Sequence, residues 1–364
     1  MTTTAHPDES PGSSMTDEEY GALRASAALW AGTSVLITDQ RGRVLVQHVD
    51  YRNTCLLPGG AVGKGESPSR GASRELLEEL GITTAVTRSL AVDWVSADTP
   101  STPPAMRFPG EILYVYDSGT WNDQQIASIR LPGHEITAVD LVEPATLNAL
   151  MAPSDARRAL SALRARINAG GPVFLENGLP IAPTVLDRVG ILRTARVEHH
   201  FPWRPGPVLA GLPVRQCWAW AFAPDGRVLV LLKPDTGAAC LPGGTLETQD
   251  QGDPVATLMR EAAEEAATHL DEPVFLGHLL DPTEPCAHVH FAATLTRLGP
   301  VRSALATGQA HARILATPEQ AVALFNWGPE TAGQLATVHA ARERLGIPKA
   351  AAQPVTELPG PVTW

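Results

Sequence analysis

The strongest constraint on the fold of this chain is that one long pattern occurs twice. RGRVLVQHV followed by LLPGG ends at Gly60, and DGRVLVLLK followed by CLPGG ends at Gly244. Each copy continues into Arg-Glu-x-x-Glu-Glu, first at Arg74 and again at Arg260. The 184 residues that separate Gly60 from Gly244 far exceed the period of a solenoid repeat. The sequence therefore predicts a tandem duplication of a whole domain.

The length agrees with this prediction, because 364 residues suit two domains of about 150 residues each better than one. The two ends are rich in Ser, Thr, Pro, Gly and Ala, which bury little surface. The predicted divisions are a disordered tail (1–15), an N-terminal domain (16–180), an inter-domain segment (181–213), a C-terminal domain (214–348) and a flexible tail (349–364).

Strand-like and helix-like segments alternate in the first copy. TSVLITD, RVLVQHV, RSLAVDWV and GEILYVYD predict strands, and the apolar periodicity around 144–168 predicts helices. Thr16 followed by three acidic residues predicts the start of a short helix. From Val214 the order repeats. This alternation predicts a mixed α/β layered fold.

The composition disfavours nucleic-acid and membrane partners. The chain has 28 basic and 39 acidic residues, a net charge of −11, and no run of five Lys or Arg that could neutralise a phosphate backbone. Its start lacks a basic and apolar leader, and no stretch approaches eighteen apolar residues, so we expect a soluble cytoplasmic protein. The four cysteines lack C-x-x-C spacing, which predicts free thiols rather than a zinc site or a disulfide framework.

The stretch LPGGAVGKGESPSRGASRELLEELGI concentrates acidic residues on a predicted helix. If Pro68 or Ser69 opens that helix and Gly81 ends it, Glu75, Glu78 and Glu79 fall on one side. Three like charges there are unfavourable unless a cation lies among them, although a solvated acidic helix face is the simpler alternative for the glutamates alone. Oxygen ligands without His or Cys favour Mg²⁺, with Mn²⁺ as a substitute.

The loop before this helix can bring a ligand close to the backbone. Its glycines permit a close approach, and Glu66 could join the carboxylate cluster. Lys64 and Arg70 either offset the charge of a phosphate or simply remain solvated.

These residues resemble the Nudix box, G-x5-E-x7-R-E-U-x-E-E-x-G-U, where U is aliphatic. Every fixed position of the box is satisfied, by Gly60, Glu66, Arg74, Glu75, Leu76, Glu78, Glu79, Gly81 and Ile82. We call residues 60–82 the first box. The resemblance extends over about residues 25–170, and it implies an α/β/α sandwich with a mixed β-sheet.

The resemblance also implies an activity, the Mg²⁺-dependent hydrolysis of a nucleoside diphosphate linked to another group. In that family the counterparts of Glu78 and Glu79 bind metal, the counterpart of Glu75 binds metal or acts as the base, and the arginine, here Arg74, orients it. A carbonyl of the glycine pair, here Gly59 and Gly60, often completes the metal shell.

The bare chemistry agrees, because a cation neutralises the diphosphate while an activated water attacks one phosphorus. A nucleoside triphosphate, a nucleotide sugar and a dinucleotide are all suitable substrates. Many family members add a late carboxylate, for which Glu135 is the candidate and His134 a weaker one. Trp94 either stacks on a nucleobase or packs in the core.

The second copy has a degenerate motif, which we call the second box (residues 244–267). Arg260, Glu261, Glu264 and Glu265 repeat the charged pattern. This copy is either catalytic in its own right or a substrate-binding, dimer-forming or structural copy. The two copies either form an intramolecular pseudo-dimer or stand apart.

The second box departs from the first at both of its ends. Two extra residues in its loop place Gly252 where Glu66 stood, with Asp250 and Asp253 as possible substitutes. Ala267 replaces Gly81, and we expect a different exit from the helix. Where the first copy has Glu135, the second offers His311 and Arg313.

One segment between the copies, VEHHFPWRPG, also carries polar and aromatic side chains. His199, His200, Phe201, Trp203 and Arg204 either cover a base or phosphate or pack between the domains. Adjacent histidines in a strand point to opposite faces, so a regular strand would not direct both to one metal.

Two alternatives remain at the level of sequence. One is a non-catalytic Nudix-fold sensor that binds a nucleotide, against which the complete first box argues. The other is an enzyme similar to isoprenyl diphosphate isomerase, which relies on a catalytic cysteine; Cys55, just before LLPGG, is the candidate. The acidity of the chain argues against removal of an RNA cap.

Overall fold

The fold is mixed α/β, as predicted, with two separate mixed β-sheets flanked by helices. The computed structural model describes residues 16–26, 29–97, 110–193, 201–281, 283–301, 310–325 and 331–364. His199 and His200 lie outside the described residues. No helix within these ranges is both long and apolar enough to cross a membrane.

The first sheet has seven strands in the order β5-β2-β1-β4-β3-β6-β7. Its strands are β1 (Trp30–Asp39), β2 (Val44–Val49), β3 (Ser89–Val95), β4 (Glu111–Trp121), β5 (Ile136–Val142), β6 (Val173–Glu176) and β7 (Leu179–Pro180). The helices of this half are α1 (Asp17–Ser26), α2 (Pro68–Leu80), α3 (Asp123–Ala127), α4 (Leu147–Leu150), α5 (Pro153–Asn168) and α6 (Val185–Val189). All of the strands and helices that the sequence predicted in the first copy are present.

The second sheet follows the path β16-β15-β10-β9-β14-β13-β8. Its strands, with three short ones that pair off this path, are β8 (Trp203–Pro205), β9 (Val214–Phe222), β10 (Val228–Leu232), β11 (Ala239–Cys240), β12 (Gly243–Thr245), β13 (Thr268–Asp281), β14 (Cys286–Leu298), β15 (Ala312–Ala316), β16 (Thr356–Glu357) and β17 (Val362–Thr363). The helices are α7 (Pro254–Ala266), α8 (Pro318–Phe325) and α9 (Thr331–Arg344).

The two sheets share a central strand order. β5-β2-β1-β4-β3 in the first corresponds to β15-β10-β9-β14-β13 in the second. In both, the strand pair at the centre is parallel, β1 with β4 and β9 with β14, and the neighbouring pairs are antiparallel. The helix that carries Arg-Glu-x-x-Glu-Glu is α2 in one half and α7 in the other. This correspondence is the structural counterpart of the repeated sequence pattern.

Buried apolar residues form three clusters. One lies between the first sheet and α2, and it includes Val35, Leu76 and Leu80. A second lies between the second sheet and α7, and it includes Leu258 and Ala262. The third is shared, because it joins residues of β1, β2 and α5 to residues of β9, β10 and α8. The two halves therefore pack against each other through the sheet faces opposite the box helices.

Two segments outside the predicted domains, the tail and the inter-domain segment, contain secondary structure. The tail 349–364 contributes β16, which pairs with β15, and β17, which pairs with β14. Arg313, buried at 2% exposure, donates to the carbonyls of Leu358 and Gly360 and so ties the tail to the second sheet. The segment 181–213 likewise contains α6 and β8, and β8 pairs with β13. Both segments satisfy backbone groups of a sheet or helix, a pairing that composition does not reveal.

The helix exit of the second box also differs from expectation. Ala267 adopts the left-handed conformation, with φ 53°, as Gly81 does with φ 68°. Both helices have thirteen residues and end on a left-handed residue, but the Gly81 N–H donates to Leu76 and Leu77 whereas the Ala267 N–H donates to Ala262. Alanine adopts this conformation at a steric cost, and β13 begins at the next residue.

Candidate functional site

The glycine pair places the backbone of the first box against β1. Gly59 has φ 141°, and a Cβ there would lie 2.2 Å from the carbonyl oxygen of Thr33. A Cβ on Gly60 would lie 2.6 Å from Oε1 of Glu75. Only glycine leaves room for both contacts. The Gly60 carbonyl accepts two hydrogen bonds from Thr33, one from its N–H at 2.8 Å and one from its hydroxyl at 3.3 Å.

Arg74 gathers the carboxylates of the first box. Its Nη1 donates to Glu75 at 2.9 Å and to Glu78 at 2.6 Å, and its Nε and Nη2 each donate to Glu66 at 3.2 Å. Its Nη2 also donates to the carbonyl of Ala61 at 2.8 Å. The Arg74 bonds, with one from the Gly63 N–H, lower the pKa of Glu66. Glu66 therefore joins the cluster through Arg74, and Arg74 is placed to orient Glu75.

Glu79 is the most buried carboxylate of the box, at 7% exposure. It accepts hydrogen bonds from Gln47 Nε2 at 2.7 Å and from the Gly59 N–H at 2.8 Å. Burial raises its pKa to about 8; the two donors oppose that shift, and the charges of Glu75 and Glu135 add to it. Burial also raises the pKa of Glu75, against the opposing effect of Arg74. An added positive charge would relieve both carboxyl groups.

Glu135 lies close enough to the box for its charge to act on Glu75 and Glu79. It occupies a loop next to β5 with a left-handed φ of 60°, and its carbonyl accepts from the Asp50 N–H at 2.9 Å. The side chain is exposed. His134 is exposed beside it. The structure thus brings the late carboxylate to the first box.

The donor set of the first box fits a hard divalent cation. The side-chain donors are all carboxylate oxygens, the ligands that Mg²⁺ and Mn²⁺ prefer. In the arrangement described, Glu75 and Glu78 are spread around the Arg74 guanidinium. Among the described residues, donor atoms of Asp281, Cys286 and His288 lie within 4.8 Å of one another. No three carboxylates of the first box come that close together.

The two predicted substrate-binding residues are both accessible. Lys64 is exposed in the loop that precedes α2. Trp94, on β3, is 42% exposed and therefore not a core residue. The edge of its indole lies over Gly110, where a Cβ would approach Cη2 to 2.5 Å.

Two residues near the site were missed by the sequence analysis. Gln47 is a buried polar residue in the otherwise aliphatic start of β2, and its amide donates to Glu79. That break in the apolar pattern was a usable signal. The other is Glu111, the first residue of β4. A Cβ added to Gly32 would lie 2.3 Å from Oε1 of Glu111 and 3.8 Å from the Gly60 carbonyl oxygen. Glu111 carries no comparable signal in the sequence.

The second box repeats the arginine network. Arg260 donates to Glu261 at 3.0 Å, to Glu264 at 3.2 Å and to Asp250 at 2.8 and 2.9 Å. Asp250 thus takes the place of Glu66, whereas Asp253 caps α7 by accepting from the Val255 N–H. The Arg260 hydrogen bonds, with one from the Glu247 N–H, lower the pKa of Asp250.

Glu265 differs from Glu79 in its surroundings. Within the described ranges it accepts no hydrogen bond, and burial raises its pKa to about 7, with Glu261 adding to the shift. Leu231 occupies the position that aligns with Gln47, so the side-chain donor is lost. Of the candidates for a late group, Arg313 is buried among backbone carbonyls, donating to Ala266 and Gly299 as well as to the tail.

Cys55 lies on the opposite face of the first sheet from Glu79. It is 3% exposed in the core cluster shared by the two halves, with Sγ 3.7 Å from His48. Gln47 and His48 are neighbours on β2, so their side chains point to opposite faces, and Gln47 faces Glu79. Burial raises the pKa of the Cys55 thiol. The position of Cys55 does not support the isomerase-like alternative.

Of the aromatic residues in and just before β8, Phe201 packs edge-on against His288 and Trp203 against His290, with centroid distances of 5.2 and 5.7 Å. Trp203 also belongs to the shared core cluster. Both rings therefore pack against histidines of β14, and Trp203 takes part in the packing between the two halves.

Comparison with known proteins identifies the same part of the chain. Residues 29–163 match the family model of the NUDIX domain. An RNA pyrophosphohydrolase from Azorhizobium caulinodans is 32% identical over 98 residues, which cover 27% of this chain and 54% of that protein. The corresponding protein of Brucella ovis is 32% identical over 78 residues, covering 21% and 40%. The chain thus spans about half the length of the curated relatives it matches.

Solved structures give similar matches. A MutT protein from Methanosarcina mazei is 22% identical, with 34% of this chain and 85% of that chain covered and a TM-score of 0.28. An ADP-ribose pyrophosphatase from Streptococcus suis is 16% identical, with 40% and 98% covered and a TM-score of 0.30. The family match, together with the complete motif in residues 60–82, leads to one conclusion. The chain contains a NUDIX domain at residues 29–163.

Proposed function

We propose that this protein is a pyrophosphohydrolase that uses Mg²⁺, or Mn²⁺ in its place, to cleave the diphosphate linkage of a nucleoside diphosphate derivative. Its main site is the first box. The substrate classes are nucleoside triphosphates, nucleotide sugars and dinucleotides.

The observation that carries this proposal is the state of Glu79. A buried carboxyl group with two hydrogen-bond donors and a pKa of about 8 is costly to keep ionised without a cation. Glu75 lies beside it over Gly60, and Glu78 is attached to the same arginine. Such an arrangement serves a metal site better than a solvated helix face.

In this proposal Glu75, Glu78, Glu79 and the Gly60 carbonyl hold the cation, and Glu66 supports them through Arg74. A bound Mg²⁺ supplies charge neutralisation for the diphosphate and activation of water.

The remaining residues position and deprotonate the reactants. Glu75 or Glu135 accepts a proton from the water while the water oxygen attacks one phosphorus. The other phosphate leaves with the electrons of the broken P–O bond. Arg74 keeps Glu75 in place. Lys64 pairs with phosphate charge, and Trp94 offers an exposed ring to a base.

The test is release of phosphate or nucleoside monophosphate from a substrate panel, with and without Mg²⁺. The panel contains triphosphates, nucleotide sugars, ADP-ribose and dinucleotides. It also contains a short RNA with a 5′ polyphosphate, because the curated relatives are named RNA pyrophosphohydrolases. Wild type is compared with Glu79→Gln, and Glu265→Gln is the matched variant in the second box.

We expect Mg²⁺-dependent turnover by wild type and by Glu265→Gln. Glu79→Gln should lower kcat/KM by on the order of 10³-fold, since a bound metal contributes several kcal/mol to the transition state. An equal loss of kcat/KM in both variants would indicate that both boxes take part in catalysis. Ligand-induced thermal stabilisation without turnover by wild type would instead support the sensor alternative.

A further inference from the structure

A second cluster of potential metal ligands lies outside both boxes, at the end of the β13–β14 hairpin. Donor atoms of Asp281, Cys286 and His288 all lie within 4.8 Å of one another. It is the one group of three or more His, Cys, Asp or Glu residues at such distances in the described part of the chain. The spacing of the cysteines had predicted no zinc site, because only one ligand of this cluster is a cysteine.

The register of the hairpin explains the convergence. Asp281 and Cys286 are direct partners across the β13–β14 ladder, so their side chains share a face. His288 follows Cys286 by two residues on β14 and projects to that face as well. The three side chains meet because all three residues lie on paired strands, so their proximity does not depend on the conformation of a loop.

The distance between sulfur and nitrogen agrees with shared coordination. Typical Zn–S and Zn–N bonds of about 2.3 and 2.0 Å at a tetrahedral angle place the two ligand atoms about 3.5 Å apart. Cys286 Sγ and His288 Nε2 are 3.7 Å apart. Without an ion the two groups form a hydrogen bond that involves sulfur, and the same separation suits two ligands of one ion.

The surroundings hold the carboxylate and the imidazole in place. Asp281 Oδ1 accepts from the Thr283 N–H at 2.8 Å, from the Thr283 hydroxyl at 2.7 Å and from the Glu284 N–H at 3.1 Å. These bonds fix the carboxylate and leave Oδ2 for a ligand. The Phe201 ring packs edge-on against His288 at an angle of 89°.

The charge near the cluster is balanced. Arg215 is close to the cluster, and its Nη1 forms an ion pair with Glu284 at 2.6 Å. The guanidinium charge is thus offset by a neighbouring carboxylate.

We propose that Asp281, Cys286 and His288 bind one Zn²⁺ ion, with water in the fourth position. A mixed sulfur, nitrogen and oxygen set with three protein ligands suits Zn²⁺ and is too soft for Mg²⁺. Binding replaces the Cys286 S–H bond by a zinc–sulfur bond and releases the thiol proton to solvent. The ion ties the two ends of the loop 281–286 together and so stabilises the hairpin beside β8 and β9.

The test uses the full chain, stripped of metal with a chelator and titrated with Co²⁺ in excess Mg²⁺. Mg²⁺ competes for the carboxylates of the boxes, and Co²⁺ reports sulfur ligation by its thiolate-to-metal charge-transfer absorption. We expect a band that saturates at one Co²⁺ per chain and disappears when Zn²⁺ is added. Cys286→Ser should abolish the band.

Cys55→Ser is the matched control. Cys55 is also buried and also lies 3.7 Å from a histidine nitrogen, but it belongs to no three-ligand cluster among the described residues. It should retain the full band. No band in wild type, or a band that survives Cys286→Ser, would overturn the proposal.

Asp281→Asn keeps the test decisive if Cys286→Ser does not fold. Asparagine retains the oxygen that accepts the loop hydrogen bonds, yet it removes the negative charge at the ligand position. We expect it to weaken Zn²⁺ binding at least about tenfold and to reduce the rise in Tm that Zn²⁺ produces in wild type. Unchanged Zn²⁺ affinity in this variant would also contradict the proposed ligand set.

Discussion

Arg74 in the first box and Arg260 in the second make the same kind of bridge, each donating hydrogen bonds to three acidic side chains and one backbone carbonyl. The second glycine of each LPGG also leaves room for the glutamate that follows the arginine. The last glutamates differ. Glu79 accepts from Gln47 and a backbone N–H, whereas Glu265 accepts no hydrogen bond within the described part of the chain.

This difference separates the contacts that hold a box together from those that orient its last glutamate, which is the proposed metal ligand in the first box. The arginine bridge joins the loop to the helix, so it persists in both copies. A donor such as Gln47 fixes one carboxylate in one orientation, and Leu231 at the aligned position cannot do so. Glu135 further distinguishes the first box, because no acid takes its aligned place in the second copy.

The largest expected effect is on the pH dependence of stability without metal. Burial raises the pKa of Glu79 to about 8, above the ordinary value of 4.5. The folded state therefore holds a proton that the unfolded chain releases, so stability falls as pH rises from about 4.5 to 8. A difference of one between the folded and unfolded pKa values of a group corresponds to about 1.4 kcal/mol.

Chemical unfolding of chelated protein at pH 5 and pH 8 measures this effect. Glu79→Gln should remove most of the fall, and Glu265→Gln should remove less, because the pKa of Glu265 reaches only about 7. Equal slopes for wild type and Glu79→Gln would contradict the buried, protonated state of Glu79.

The second prediction concerns the glycines under the first glutamate of each box. Gly60→Ala places a methyl group 2.6 Å from Oε1 of Glu75, so the carboxylate must move. A displacement of about 1 Å at a catalytic group can reduce kcat/KM by about 10²-fold. Gly244→Ala crowds Glu261 in the same way, at 2.5 Å from Cδ. Steady-state kinetics should show the loss for Gly60→Ala alone; comparable losses would make the boxes equivalent.

A third experiment exchanges the donor that distinguishes the boxes. Gln47→Leu gives the first box the residue found at Leu231 and removes one of the two donors to Glu79. Loss of such a supporting contact weakens metal binding by about 10- to 100-fold. Calorimetric titration with Mn²⁺ measures the change, and Leu231→Gln is the reciprocal control. An unaltered Mn²⁺ affinity in Gln47→Leu would show that the amide does not position Glu79.

The smallest expected effect concerns the two helix ends. Ala267 is left-handed, which costs an alanine roughly 1–2 kcal/mol, so Ala267→Gly should raise the free energy of unfolding by about 1 kcal/mol. Gly81→Ala should lower it by at least about 1 kcal/mol, because its Cβ would also meet the carbonyl of Arg130 at 3.0 Å. Urea unfolding tests both predictions. A lower free energy of unfolding for Ala267→Gly would contradict the steric cost assigned to the left-handed alanine.

Local patterns in the sequence predicted the first box well. The start of α2 at Pro68 and its end at Gly81 follow from rules of helix termination, and the spacing of three glutamates follows from the helical repeat. The strands of the first sheet are apolar runs rich in β-branched residues, a composition that predicts strands directly. These features depend on neighbours within one helix or strand, so a single sequence contains the information.

Features that depend on contacts between distant segments were not predictable in the same way. The pairing of the tail with β14 and β15, and the burial of Arg313 beneath it, join parts of the chain through backbone groups that every residue possesses. Gln47 is recognisable as a break in an apolar strand, but its partner Glu79 is set only by the packing of α2 on the sheet.

The sequence by itself determined the repeated pattern, the α/β class, the first box and its oxygen-rich character, because each depends on residue types at fixed local spacing. Only the tertiary structure decided which carboxylate is buried, which face Cys55 occupies, and that Asp281, Cys286 and His288 meet. The reason is strand register and helix packing, which bring together side chains whose separation along the chain carries no signal.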